Sequence, residues 1–378
     1  FIQTMTDSFV AGIGSEGSVM MKKLGGKVKK MGELMARANK RSVSGYVGVM
    51  YGGNGLTGEG FGGWMLDSID GKKPLTFANA KLGDTFLVVA SAMKQKYDDL
   101  GIEMMETMAS VVPLGMEMYG EISGDVDTVN KFEEMHKLFA PKIGKIWGIM
   151  KSKVYRGLGN DSALIVDLNG SLPKIPGLPR AIVNQGKAPR IAMASTVKDR
   201  KMLTAAWQEL VPAVNDMLAS IPGQEAGAEV QMPDALSSEK DGLATHYFPM
   251  PFLSNDFMPS LSISDKVFLM SSSKKFSESI AAKTSKAEGK GDLRGVYMRV
   301  NFTQLNSFAS GWLKLIKENK DIVFEGNEFA AEDFEEGAEI ALQALKLARV
   351  LKHFDYNKFT TDADETRSIW HLRLKDVK

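Results

Sequence analysis

The chain has 378 residues, 44% hydrophobic and 25% charged, a globular composition with length for two or three domains. Its net charge of +1 supplies no electrostatic drive toward nucleic acid, and no apolar run reaches the roughly 18–20 residues of a membrane-spanning helix. Cysteine is absent, which removes disulfides, thiolate metal ligands and cysteine nucleophiles together, and fits an extracytoplasmic bacterial protein of the periplasm or cell envelope.

The chain opens at Phe1 rather than Met, so a removed targeting segment is expected ahead of it. The first forty residues read as helical, with a basic stretch, "MKKLGGKVKKMGELMARANKR". That stretch is a solvated helix face weakened by Gly25-Gly26, with charge that also suits peripheral contact with an anionic envelope surface. Gly53-Asn54-Gly55-Leu56-Thr57-Gly58 formally matches the dinucleotide fingerprint G-x-G-x-x-G. A dinucleotide site needs a helix to open directly after it, and Glu59-Gly60-Phe61-Gly62-Gly63-Trp64 is a strand pattern. The spacing therefore predicts a hairpin turning at Asn54-Gly55.

Residues 74–97 and 259–279 share one plan: a Pro-led strand, an Asp turn (Asp84, Asp265), an apolar strand, then serine with lysine three positions on. Each predicts a β-hairpin feeding a helix. The serines Ser91, Ser195 and Ser272, with Lys94, Lys198 and Lys275, fit S-x-x-K, the nucleophile motif of serine β-lactamases and penicillin-binding proteins. The same spacing recurs at Ser171 and Ser237, and the partner motifs S-D-N and K-T-G are missing. A nucleophile is needed once, whereas every helix start needs an acceptor for its free amides. The motif is read as serines capping helices, with Thr196 and Asp199 as a capping box at the middle junction.

Met93, Tyr97, Leu100, Met104 and Met108 fall on one helical stripe that Pro113 should end. A second helix is expected over 127–151 with Phe132, Phe139, Ile143 and Ile146 inward. Met104, Met105, Met108, Met116 and Met118 gather here. They read first as core, then as a pliable apolar surface for a ligand or partner helices, and last as soft Cu(I) ligands. They are the candidate binding residues, and no cofactor or metal is expected.

The strand "SALIVDLNG" leads to a segment punctuated by Pro173, Pro176, Pro179 and Pro189. This gives an N-terminal lobe over 1–170, a linker over 171–189 and a C-terminal lobe over 190–378. The second lobe adds a strand at 190–196 and a helix with Leu203, Trp207, Leu210, Val214 and Met217 on one face. The repeated hairpin, the strand "GVYMRVNF" and a helix with Trp312 come next. A last long helix places Ile340, Ala344, Leu347, Leu351 and Phe354 in register, and "RSIWHLRLKD" closes as a half-buried strand. His136, His246, His353 and His371 show no metal-ligand spacing, and the acidic run "FEGNEFAAEDFEEGAE" reads as a solvated helix start. The fold class is α+β: two tandem lobes, each a mainly antiparallel sheet with helices packed on one face.

"YFPMPFLSNDFMPSLSISDKVFLMSSSKKFSESI" and "RSIWHLRLKD" resemble bacterial exported proteins of unknown function built from repeated strand-helix-hairpin units. The resemblance covers most of the second half and, weakly, residues 74–100, and it implies no active-site residues. The expectation is a non-enzymatic extracytoplasmic protein that binds a ligand or protein partner, in the cleft between lobes or on the Met-lined surface. The alternatives are a serine hydrolase using one S-x-x-K serine, and a structural component of the envelope. Neither nucleic acid nor a transmembrane segment is expected.

Overall fold

A computed structural model describes residues 19–38, 46–62, 68–83, 85–174, 176–221, 234–249, 254, 256–285, 291–325, 327–362 and 365–375. Its strands are β1 (Tyr46–Gly53), β2 (Gly55–Gly62), β3 (Leu87–Ala92), β4 (Leu158–Ser171), β5 (Lys187–Val197), β6 (Leu236–Lys240), β7 (Leu243–Tyr247), β8 (Ser260–Ile263), β9 (Val267–Ser271), β10 (Val296–Asn301), β11 (Leu351–Thr360) and β12 (Thr366–Leu374). Its longer helices are α1 (Val19–Ala38), α2 (Gln95–Ala109), α3 (Val111–Ser123), α4 (Val126–Ile149), α5 (Arg200–Leu218), α6 (Lys274–Thr284), α7 (Phe302–Glu318) and α8 (Glu328–Ala348). The α+β composition is as expected.

The strands form one 12-stranded sheet in the order β1-β2-β12-β11-β10-β3-β4-β5-β9-β8-β7-β6, and each neighbouring pair is antiparallel. Hydrogen bonding gives no division at 171–189. That segment returns the chain from β4 to β5 as immediate neighbours, and β10 and β12 lie beside β3 and β2.

Helices pack on both faces of the sheet rather than on one. Successive residues of a strand point to opposite faces, and on β9 Leu269 and Phe268 join different apolar clusters. Leu269 packs with Phe276, Ile280 and Ala281 of α6, while Phe268 packs with Leu203 and Ala206 of α5 and with Ile149 and Val154. Burying each such large side chain contributes about 1.5–3 kcal/mol, so these two clusters anchor α5 and α6.

The Gly-rich motif is a hairpin: Gly53 pairs with Gly55 across Asn54. Gly55 has φ 134°, and a Cβ there would collide with the Leu372 carbonyl, so only glycine fits the turn. The hairpin before α6 forms as β8–β9. Its expected counterpart at 74–83 does not. Thr76–Asn79 is a short helical turn. The amide of Thr76 donates to the buried carboxylate of Asp161 at 2.6 Å, and Leu75 and Phe77 plug the core. Asp84 lies outside the described residues.

The last helix also differs from expectation. It stops at Ala348 and the chain becomes β11, in which His353, Asp355 and Asn357 alternate with Phe354, Tyr356 and Lys358. Ile340 and Leu347 face outward, and it is Ala338 that is buried as α8 packs on α7. On the first stripe Leu100 is buried but Met108 is exposed.

Candidate functional site

The helices between β3 and β4 build an open groove. α2 ends at Ala109, where the Ser110 hydroxyl donates to the Thr107 carbonyl at 2.6 Å. Pro113 then sits in the first turn of α3, where its missing N–H leaves no gap. α3 terminates at Gly124 with φ 69°, and the Asp125 carboxylate caps α4 by accepting from the Thr128 amide at 3.0 Å. The corner of α2 and α3 thus faces the flank of α4 across a groove of about 730 Å³.

Its walls are almost wholly apolar. Met105, Ala109, Val112 and Pro113 stand opposite Phe132, Met135, Phe139, Ile143 and Trp147. Met105 is 50% and Ile143 55% exposed, with Val112 and Met135 similarly open. Along α4, Phe132, His136, Phe139, Ile143 and Trp147 recur every three or four residues, the spacing of one shared helix face. The polar groups at the rim are engaged with one another or with the wall. The Glu106 carboxylate accepts from Lys151 Nζ at 2.7 Å and Trp147 Nε1 at 3.0 Å; these two bonds hold its pKa below the usual carboxylate range. His136 stacks on Phe132 with ring centroids 5.7 Å apart. Glu106 and His136 are the ionisable side chains among the described residues that line the groove.

Of the five methionines singled out by sequence, Met105 lines the wall. Met108 is exposed beside it, and Met104, Met116 and Met118 are half-buried outside the lining. The spacing on the α4 side predicts inward, core residues. Its three-to-four spacing marks a shared face, but periodicity carries no information on whether anything covers that face.

The S-x-x-K serines do not converge on a catalytic arrangement. Ser195 is buried and its hydroxyl donates to the Gly159 carbonyl at 3.3 Å. Ser272 Oγ accepts from the Ile191 amide at 3.0 Å. Ser91 sits within β3, paired with Ser162 and Val296. The capping expectation also needs correction. Ser273, not Ser272, caps α6 by accepting from Phe276 at 3.1 Å. Asp199 itself, not Thr196, caps α5 by accepting from Met202 at 3.0 Å, and α2 has Lys94 at its N-cap position with no side-chain cap.

A second polar cluster lies on β10 and β11. The Asp355 carboxylate accepts from the Tyr297 hydroxyl at 2.8 Å and lies 3.0 Å from His353 Nε2. Burial first, then Asp355, raises the Tyr297 phenol. On the neighbouring strands His371 Nδ1 meets Thr57 Oγ1 at 2.8 Å. Among the described residues no group of three His, Asp or Glu is placed to hold a metal ion, and no helix is long and apolar enough to cross a membrane. Comparison of the chain with protein families, with curated proteins and with solved structures finds no match.

Proposed function

We propose that this is a non-enzymatic binding protein whose groove between α2, α3 and α4 takes an amphipathic helix of a protein partner. The observation that carries the reading is the open three-to-four seam of Phe132, Phe139, Ile143 and Trp147 facing Met105 and Val112. Methionine and aromatic walls adapt to helices laid in a groove, and the apolar residues of such a helix at i, i+3, i+4 and i+7 supply the anchors. A bacterial extracytoplasmic setting fits the absence of cysteine, since the chain has no thiol to be oxidised or mispaired there. A tandem origin is part of the reading: β3 and β9 flank the β4–β5 pair on either side, and each runs on into a helix.

The test uses the dye 1-anilinonaphthalene-8-sulfonate, whose fluorescence rises in apolar sites. Saturable binding should be lost in Met105→Asp/Ile143→Asp, both exposed positions whose change spares the core. A heptad-patterned amphipathic peptide should displace the dye and its scrambled counterpart should not. Equal displacement by both peptides would sink the helix reading. Displacement by oleate alone would reassign the groove to a lipid.

A further inference from the structure

We propose that the sheet face carrying Arg299, His353, His371 and Arg373 binds a doubly charged oxyanion, a sulfate or a phosphoryl group. The site lies on the sheet, apart from the groove, and does not rest on what the groove takes. Residues directly opposed in antiparallel strands share a face, as do residues two apart on one strand. Arg299 of β10 stands opposite Asp355 of β11, Asp355 opposite His371 of β12, and His371 opposite Thr57 of β2. In the next row His353 stands opposite Arg373. At about 4.8 Å between strands and about 3.4 Å per residue, the four cationic or imidazole groups occupy a patch of about 10 by 7 Å.

The charge of this patch is not balanced. On β2, β10, β11 and β12 the carboxylates are Glu59 and Asp355, and Glu59 is engaged by Arg367. Asp355 Oδ1 accepts from the Tyr297 hydroxyl at 2.8 Å and lies 3.8 Å from Arg299 Nε, while Oδ2 lies 3.0 Å from His353 Nε2. One carboxylate therefore already serves three groups. Arg373 is exposed and has no ion pair or hydrogen bond among the described residues.

The imidazoles sit in this uncompensated field. Burial holds His371 below its usual range and the Arg373 charge adds to it, against Asp355. Burial does the same to His353, with Asp355 opposing and Arg299, Lys352 and Arg373 adding. His353 Nδ1 and His371 Nε2 make no hydrogen bond among the described residues, since Asp355 and Thr57 hold the other nitrogen of each ring. A dianion placed here reverses the push of the arginines, draws a proton onto each imidazole and gains charged N–H donors from both residue types. The half-buried floor, with His353 18% and Asp355 22% exposed at the side chain, strengthens those contacts relative to open water.

Proton NMR tests this on the full chain, whose four histidines give four C2–H resonances; His353→Asn and His371→Asn assign two of them. Sulfate stays doubly charged over the whole imidazole range. With sodium sulfate replacing sodium chloride at equal ionic strength, the His353 and His371 midpoints should rise by about half a pH unit or more, and those of His136 and His246 should stay. Sulfate affinity is then greatest below the imidazole midpoints and is lost as pH rises through them. Arg373→Gln, at an exposed position, should raise both midpoints in chloride and abolish their response to sulfate; Arg299→Gln should weaken that response. Phenyl phosphate acting at lower concentration than sulfate identifies a phosphate ester as the ligand, and the reverse order a free anion; either sustains the site. No movement, equal movement of all four histidines, or a response that survives in Arg373→Gln overturns the proposal.

Discussion

Arg190 ties β5 to β4 and to the turn before β8. Its Nε and Nη2 donate to Asp167 Oδ1 at 3.0 and 2.7 Å, and its Nη1 donates to Asp256 Oδ1 at 3.1 Å. The guanidinium also lies 5.1 Å from the centre of the Phe276 ring. None of the three charged side chains is more than 14% exposed. Arg190→Met keeps most of the stem while leaving two carboxylates short of their partner. Breaking a buried ion pair from one side costs about 3–5 kcal/mol, and loss of the ring contact adds about 0.5–2 kcal/mol. A loss of about 4 kcal/mol at pH 7 is expected. Burial alone would raise the Asp256 carboxyl, but the Ser171 hydroxyl, Lys275 and Arg190 outweigh it and hold it below its ordinary 3.8. A depressed carboxyl contributes stability above its unfolded pKa and loses it as pH falls through the folded value. The Arg190→Met penalty is therefore full at neutral pH and shrinks below about pH 4. Urea midpoints at both pH values measure this. The triple variant Arg190→Met/Asp167→Asn/Asp256→Asn should regain much of the loss, since no charge is then stranded. A single variant within about 1 kcal/mol of wild type at pH 7, or a penalty that grows in acid, refutes the reasoning.

Two other outcomes follow from buried contacts. Burial raises the Asp161 carboxyl despite its bond from the Thr76 amide, and its Oδ1 has no hydrogen-bond partner. The folded chain holds this proton to higher pH than the unfolded chain does, so stability falls as pH rises above 3.8. Asp161→Asn should raise the urea midpoint at pH 7 and give no gain near pH 3.5, with equal shifts at both arguing against the titration. Gly58 lies beneath the Trp370 indole, where a Cβ would overlap the ring. Gly58→Ala should expel the indole, with a red-shifted emission and a loss of about 1–3 kcal/mol; an unchanged spectrum and midpoint would show that the ring does not rest there.

The local features legible in the chain are those carried by short-range chemistry. The chain turns the first hairpin at Asn54-Gly55 with Gly55 at positive φ, and α2 gives way to α3 just ahead of Pro113. What failed was of another kind. Met108 and Ile143 belong to periodic stripes that the spacing places inward, Ile340 and Leu347 to one it places in register, and all four are exposed. A period says which residues share a face, whereas coverage depends on elements far away in the chain. β11 was hidden because Leu351 and Phe354 also satisfy helical spacing. The single sheet was illegible for the same reason as the groove, since the partners of β2, β3 and β5 are set by pairings no local pattern records.

The pairing of Gly58 with Trp370 and Leu56 with Leu372 sets the order in which the molecule can be completed. The β1–β2 hairpin leaves the ribosome well before its inner neighbour β12, with all the other strands made in between. Until β12 arrives, an isolated two-stranded ribbon rich in glycine must wait with its hydrogen-bonding edges open. Joining it then requires closing a loop of most of the chain, an event of high contact order that should be slow compared with forming β8, β9 and α6. Termination between β2 and β12 would thus leave the β1–β2 hairpin without the strand that joins it to the sheet.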